Sequence, residues 1–122
     1  MHNKVLIVDD EPSIVLAINH LLTTAGYTTD TAENGVEALE KVQQFYPDLM
    51  VLDVMMPKMD GFSVALKLRE NPTHHALRIL FLTAKISDKD RFNGYASGAD
   101  HYLTKPFDND ELLLKVQQML EE

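Results

Sequence analysis

The feature that most constrains the fold of this chain is a regular alternation of short apolar runs with longer amphipathic stretches. Residues 5–8, 49–52 and 79–82 are continuously apolar. Such runs are typical of strands that are covered on both faces, as in a parallel sheet. Residues 28–31 and 101–104 also have extended character but are more polar, as edge strands are. The sequence therefore predicts five strands, with the three apolar ones in the middle of the sheet.

Amphipathic helical patterns lie between these strands. The first pattern begins near Pro12, which suits a first turn, and ends at Gly26. The second runs from Val36 to Phe45 and is followed by Pro47, which ends it. Both patterns are long enough to cross from one parallel strand to the next.

Three further helices are predicted by the same alternation of strands and helices. A weaker stripe runs from Phe62 to Arg69, after Gly61, and Ser87 opens a capping-box pattern that Gly98 can end. The last helix opens at Asp108. Five strands alternating with five helices predict one α/β domain over residues 1–122. Its sheet is doubly wound and parallel, in the order 2-1-3-4-5 with right-handed crossovers.

Composition limits the classes of function that remain. The chain has 122 residues, of which 45% are hydrophobic, enough for a single core. A net charge of −8 argues against direct nucleic-acid binding, and no apolar run is long enough to span a bilayer. Cysteine is absent, and the first apolar run turns acidic too soon for a signal peptide. We therefore expect a cytoplasmic protein without a membrane partner.

Polar residues follow the predicted strands where each strand ends. Asp9 and Asp10 end the first strand, and Asp53 ends the third. Thr83 ends the fourth strand and Lys105 follows the fifth. In an open α/β sheet, ligands bind at this carboxyl edge, beside the point where the winding direction reverses. All five residues are thus predicted at one site.

Three carboxylates at one edge need a positive partner. A pair of like charges at ~4 Å costs on the order of 4 kcal/mol at an effective dielectric constant of about 20. Carboxylate and water ligands suit Mg²⁺, and Lys105 adds a further positive charge. A metal and a lysine facing Asp53 suit an incoming phosphoryl group, with Asp53 as nucleophile and Thr83 as hydrogen-bond donor.

Each of these residues has an ordinary structural interpretation when taken alone. A strand-end Asp commonly caps the next turn, Lys105 could be a solvated surface lysine, and Thr83 an ordinary strand-end hydroxyl. Their coincidence at one predicted edge favours the functional interpretation. By contrast, His74 and His75 are adjacent and follow the loop signal Asn71-Pro72, so we expect both at the surface.

The segments VLIVDDE, LMVLDVMMPKMDG, FLTA and GADHYLTKPF resemble the signature segments of the response-regulator receiver domain of two-component systems. The resemblance extends over essentially the whole chain and implies a flavodoxin-like fold. It also implies that Asp53 is the phosphorylation site. Asp10, Asp53 and the backbone carbonyl of Met55 would bind Mg²⁺, or Mn²⁺ in its place, with Asp9 acting through water.

The same resemblance implies how a signal would pass through the chain. Thr83 and Tyr102 would be the switch pair, Lys105 the phosphate-sensing cation, and the peptide bond before Pro106 would be cis. The donor would be a sensor histidine kinase or a histidine phosphotransfer protein. The fourth helix, fifth strand and fifth helix would form the output surface. The output partner, and whether the domain belongs to a longer protein, stay open.

Other functions fit the sequence less well. A phosphatase of the haloacid-dehalogenase type also uses an aspartate nucleophile, but it needs a second aspartate at the place of Met55. A flavin carrier needs a hydroxyl- and glycine-rich loop after the first strand, where this chain has DDEPSI. A nicotinamide-binding domain needs GxGxxG there. We therefore predict a phosphorylation-dependent signalling switch rather than an enzyme, apart from any autodephosphorylation.

Overall fold

A parallel sheet of five strands lies at the centre of the protein. The computed structural model describes residues 3–84 and 98–121. The strands are β1 (Lys4–Val8), β2 (Thr28–Ala32), β3 (Leu49–Asp53), β4 (Arg78–Thr83) and β5 (His101–Thr104). Their order is β2-β1-β3-β4-β5, and every neighbouring pair is parallel. The predicted strand order is confirmed.

Four α-helices and one 3₁₀ turn connect or follow the strands in the described part of the chain. They are α1 (Pro12–Thr24), α2 (Gly35–Phe45), α3 (Gly61–Arg69), the 3₁₀ turn Pro72–His74, and α4 (Asn109–Glu121). The C-terminal helix α4 is the fifth helix of the sequence prediction. The helix predicted from Ser87 lies outside the described residues. Among the described helices, none has the length and apolar character needed to cross a bilayer.

The first three helices begin just beyond the carboxyl ends of strands, with local signals that fix each start. Pro12 occupies the first turn of α1. The side chain of Asn34 accepts a hydrogen bond from the Glu37 amide at the start of α2, and Asp60 accepts one from the Ser63 amide at the start of α3. These caps satisfy amide groups that have no partner inside the helix. They fix the loops before α2 and α3 along the edge where the polar residues lie.

The core forms two layers, one on each face of the sheet. The strand residues on one face pack with α2 and α3, and they include Leu6, Val8, Met50, Leu52, Ile79 and Phe81. Those on the other face pack with α1 and α4, and they include Val5, Ile7, Leu49, Val51, Leu80 and Leu82. All twelve are fully buried. Burial on both faces explains why β1, β3 and β4 are continuously apolar in sequence.

His74 is buried, so its predicted surface position is wrong. Its exposed fraction is 8%, whereas His75 is exposed as expected. The segment forms a turn of 3₁₀ helix whose first amide group is capped by Asn71. Successive side chains of a 3₁₀ helix diverge by about 120°, so one of two adjacent histidines can face inward while the other faces solvent.

Candidate functional site

Three carboxylates lie together at the carboxyl edge of the sheet. Asp9 and Asp10 directly follow β1, and Asp53 is the last residue of β3. One carboxylate oxygen from each lies within 4.8 Å of the others. Asp9 and Asp53 are buried, with exposed fractions of 1% and 5%, while Asp10 is exposed. The cluster lies between β1 and β3, where the sequence analysis expects the site.

Lys105 joins this cluster from the loop that follows β5. Its Nζ atom lies 2.9 Å from Asp9 Oδ2 and 3.6 Å from Asp53 Oδ1. Burial alone would lower the pKa of Lys105, but the hydrogen bond to Asp9 and the negative charges around it raise the pKa overall. The lysine is therefore a permanent cation beside Asp53 at physiological pH.

The two oxygens of Asp9 are both engaged. Oδ2 accepts the hydrogen bond from Lys105, and Oδ1 accepts one from the Glu11 backbone amide at 3.0 Å. Asp10 has the more open carboxylate because its side chain is exposed. Within the cluster, Asp10 and Asp53 are therefore better placed than Asp9 to bind a cation directly.

The surroundings of Asp53 oppose its negative charge. The pKa of Asp53 is raised to about 6, first by burial and then by the negative charge of Asp9, with a smaller contribution from Asp10. Lys105 and the Met55 amide, which lies 3.4 Å from Asp53 Oδ1, act in the opposite direction without cancelling the effect. A hard divalent cation would relieve this repulsion, and the carboxylate donors fit such an ion.

The backbone on the far side of Asp53 is supported by the start of α3. A Cβ atom on Gly61 would lie 2.6 Å from the Asp53 carbonyl oxygen and 3.0 Å from Val54 Cα. The Gly61 amide donates to the Val54 carbonyl oxygen at 2.9 Å. Only glycine allows this approach, so α3 is seated directly against the acidic residue. From the sequence alone, Gly61 is recognisable only as the residue before a helix.

Thr83 and Tyr102 lie on the same face of neighbouring strands. The pairing of β4 with β5 sets Phe81 opposite Tyr102 and Thr83 opposite Thr104, which makes Thr83 and Tyr102 diagonal neighbours. Thr83 is buried and Tyr102 is partly exposed. The Tyr102 ring lies 5.5 Å from the Phe81 ring. The two residues therefore occupy adjoining places, Thr83 at the end of β4 and Tyr102 on the outer strand β5.

The end of β5 is tied to the same edge. The Lys105 amide donates to the Thr83 carbonyl oxygen at 2.7 Å, and the peptide bond from Lys105 to Pro106 is cis, as expected. Glu11 also belongs to the site, since its Oε1 atom lies 3.9 Å from Lys105 Nζ. The sequence-based prediction did not include this residue. The signal was available, since Glu11 directly follows the two acidic residues after the first strand.

Comparison with known proteins identifies the family. Residues 5–117 match the family model of the response regulator receiver domain. The chain is 45% identical to the alkaline phosphatase synthesis transcriptional regulatory protein PhoP of Bacillus subtilis, over 98% of this chain and 49% of that protein. It is 44% identical to response regulator MprA of Mycobacterium leprae, over 96% of this chain and 50% of that protein.

Solved structures agree with the family assignment. Chemotaxis protein CheY4 of Vibrio cholerae superposes with a TM-score of 0.93 at 39% identity, covering 98% of this chain and 99% of that one. The receiver domain of Francisella response regulator 1452 superposes with a TM-score of 0.89 at 35% identity, covering 98% and 97%. The chain belongs to the receiver domains of two-component response regulators.

Membership of this family defines the kind of activity. Receiver domains act in phosphorylation-dependent signalling and are switches rather than classical enzymes. Response regulators are phosphorylated by sensor histidine kinases. The chain spans about half the length of the curated relatives it matches, several of which are transcriptional regulators by name. Their transcriptional output is therefore a property of those longer proteins.

Proposed function

We propose that Asp53 accepts a phosphoryl group from the phosphohistidine of a sensor histidine kinase or a histidine phosphotransfer protein. A carboxylate oxygen of Asp53 would form the new O–P bond while the N–P bond of the donor breaks, and the leaving imidazole would take up a proton. The observation that carries this proposal is the position of Asp53, in a buried carboxylate cluster and 3.6 Å from the Lys105 ammonium group. Lys105 would stabilise charge that spreads over the phosphoryl oxygens.

The same carboxylates suit a divalent cation, with Mg²⁺ as the expected ion and Mn²⁺ as a substitute. Asp10 and Asp53 would bind it directly, together with the backbone carbonyl of Met55. Asp9 would act through water because Lys105 and the Glu11 amide already engage its two oxygens. When bound, the ion would supply positive charge that offsets the repulsion among the carboxylates and the incoming phosphoryl group.

A protein donor must approach the same edge, and helix α1 supports such contact. Helix α1 contains no Asp, Glu, Lys or Arg, although the net charge of the chain is −8, and Leu16 on this helix is 70% exposed. A pocket of about 440 Å³ adjoins α1, and it is lined by Ile14, Ala84, Lys105, Pro106 and Phe107. A helix without acidic residues, lysine or arginine, beside a mostly apolar pocket that includes Lys105, suits a donor protein with an apolar contact surface.

Phosphorylation would then bias an existing equilibrium between two conformations around Thr83 and Tyr102. The Thr83 hydroxyl would donate to a phosphoryl oxygen, and Tyr102 would respond from the neighbouring strand. The predicted helix from Ser87, together with β5 and α4, would present the change to an output partner. On this proposal, residues 1–122 act as one cytoplasmic receiver domain that does not itself bind nucleic acid.

The acceptor assignment can be tested with acetyl phosphate as a small phosphodonor. In the presence of Mg²⁺, the wild-type protein should gain one phosphoryl group by intact mass, and hydroxylamine should remove it. Asp53→Asn should abolish the adduct. Asp60→Asn is the matched control, because asparagine preserves the helix cap while removing a neighbouring carboxylate, so its adduct should form normally. A full adduct in Asp53→Asn would overturn the proposal.

A further inference from the structure

Arg69 connects three separate segments at the amino edge of the sheet, opposite the acidic cluster. It is the last residue of α3. Its Nε atom donates to the Gly98 carbonyl oxygen at 3.0 Å, and Nη1 donates to the His74 carbonyl oxygen at 3.0 Å. Its Nη2 atom donates to Asp100 Oδ2 at 3.1 Å. We call Arg69, His74, Gly98 and Asp100 the Arg69 cluster.

Asp100 extends the Arg69 cluster to the starts of β4 and β5. Its Oδ2 atom accepts a second hydrogen bond, from the Ile79 amide at 2.8 Å, and its own amide donates to the Ile79 carbonyl oxygen at 3.0 Å. Asp100 directly precedes β5, and Ile79 is the second residue of β4. The carboxylate therefore holds the first residues of both strands against Arg69.

Gly98 packs closely against the aliphatic part of the Arg69 side chain. Its φ is +104°, and a Cβ atom there would lie 2.9 Å from Arg69 Nε and collide with Arg69 Cγ. The Arg69 and Asp100 side chains are only 21% and 27% exposed. A planar guanidinium with several donors fits these partners, whereas a lysine could not reach all of them at once. The close fit and the shared hydrogen bonds define a single position for the segment that leads into β5.

β5 is thus held at both of its ends by a cation. It is a short strand at the edge of the described sheet, where its one partner is β4. At its carboxyl end, Lys105 is bound to Asp9 and lies near Asp53, so a phosphoryl group on Asp53 would place new negative charge beside this lysine. At its amino end, the Arg69 cluster is remote from the acceptor. Tyr102 lies between the two ends.

We propose that Arg69 is a positioning residue that fixes the amino end of β5, so that a change at Lys105 is expressed as a change at Tyr102. This proposal rests on the proposed roles of Asp53 and Tyr102. It adds a fixed point at the amino end of β5, which couples a change at one residue to a change at the other. With the amino end fixed, movement is confined to the carboxyl half of the strand. Without it, β5 can shift as a unit, and Tyr102 samples both environments before any phosphorylation.

The test compares Tyr102 in the free protein and in the beryllofluoride adduct with Mg²⁺, by amide and ring chemical shifts. Arg69→Lys keeps the charge and most of the stem, and Arg69→Gln removes the charge. Both substitutions should reduce the change in chemical shift that the adduct causes at Tyr102. The ratio of the two Tyr102 conformations should differ from that of the wild type by about threefold or more. Lys67→Gln is the matched control, since it removes an exposed cation from the same turn of α3 and should respond as the wild type.

A second measurement separates positioning from general destabilisation. Mg²⁺ affinity and adduct formation at Asp53 should stay at wild-type values in Arg69→Lys, because the Arg69 cluster lies at the other edge of the sheet. Asp100→Asn should reduce the Tyr102 response by itself, and adding it to Arg69→Lys should have little further effect. A full Tyr102 response in folded Arg69→Lys would overturn the proposal. Failure of the wild type to form an adduct or to shift Tyr102 would instead refute the proposed function.

Discussion

At the scale of single residues, the acidic cluster combines opposing demands on Asp53. Burial and the charge of Asp9 favour its protonated form, while Lys105 favours its ionised form, and the net result is a pKa of about 6. A nucleophilic carboxylate must be ionised. In the metal-free protein, the ionised form of Asp53 therefore lowers the free energy of unfolding. Neutral pH and a bound cation both favour the reactive form.

The raised pKa of Asp53 predicts a pH-dependent stability in the metal-free protein. Because the folded state binds this proton more tightly than the unfolded state, the Asp53 contribution to the free energy of unfolding is lost as pH rises from about 4 through about 6. Asp53→Asn should therefore match the wild type near pH 4 and exceed it by on the order of 2 kcal/mol at pH 7. Denaturant unfolding in EDTA measures the difference, and a difference that is constant across this range would contradict the prediction.

Asp10 should affect metal binding more than folding. We expect Asp10→Asn to weaken Mg²⁺ binding by at least about tenfold, because loss of even an outer-shell partner commonly costs that much in metal affinity. We also expect this substitution to slow phosphorylation. The metal-free variant should be no less stable than the wild type, since repulsion in the cluster falls. Glu33→Gln is the control, because Glu33 lines a small pocket together with Asp9 and Asp10 but lies outside the carboxylate cluster. Equal Mg²⁺ affinity of Asp10→Asn and the control, by titration calorimetry, would exclude Asp10 as a ligand.

Met55 should influence how long the phosphorylated state lasts. Its side chain is 74% exposed, and its amide lies 3.4 Å from Asp53 Oδ1. A thioether is only a weak hydrogen-bond acceptor, so it cannot hold a water in line with the phosphorus. We expect Met55→Asn to shorten the lifetime several-fold, measured as phosphate release after donor removal, whereas Met55→Leu should leave it unchanged. A lifetime in Met55→Asn equal to that of the wild type would rule out this role.

At the scale of secondary-structure elements, α3 links Asp53 to the Arg69 cluster. Its first residue, Gly61, touches the Asp53 backbone, and its last residue, Arg69, holds the segment before β5. Between these ends, Phe62 contacts the Phe81 ring edge-on at 5.2 Å, and Phe81 contacts Tyr102. The helix therefore contacts the backbone at Asp53, the core and the segment that precedes the outer strand.

Substitution of Gly61 tests whether α3 must approach the Asp53 backbone this closely. In Gly61→Ala, the added Cβ atom would meet the Asp53 carbonyl oxygen at 2.6 Å, so either the helix or the Asp53 backbone must shift. We expect a loss of about 1–3 kcal/mol in the free energy of unfolding, as for overpacking in a core, together with weaker Mg²⁺ binding. Ser63→Ala on the same helix should change stability by no more than about 0.5 kcal/mol. Gly61→Ala with wild-type stability and Mg²⁺ affinity would show that the close approach is not required.

At the scale of the whole molecule, the sequence predicts the sheet well because both faces of its central strands are buried. That burial makes β1, β3 and β4 continuous apolar runs, and it leaves the polar residues to the strand ends. The edge location of Asp9, Asp53 and Lys105 follows from this pattern together with the rule for open sheets.

Other features depend on contacts that no local pattern encodes. The hydrogen bond of Lys105 to Asp9 joins residues 96 positions apart, and the contact of Arg69 with Asp100 joins residues 31 apart. The choice of partner is made by tertiary packing, not by spacing in the sequence. The inward position of His74 likewise depends on the direction of a single 3₁₀ turn. Such features need the structure.

The central claim, that Asp53 alone accepts the phosphoryl group, can be tested directly in the wild-type protein. Borohydride reduces an acyl phosphate to the alcohol, so it converts a phosphorylated aspartate into homoserine at that position. After treatment with acetyl phosphate and Mg²⁺, peptide mass mapping should find homoserine at residue 53 and nowhere else. Homoserine at Asp9 or Asp10, with unmodified Asp53, would contradict the assignment.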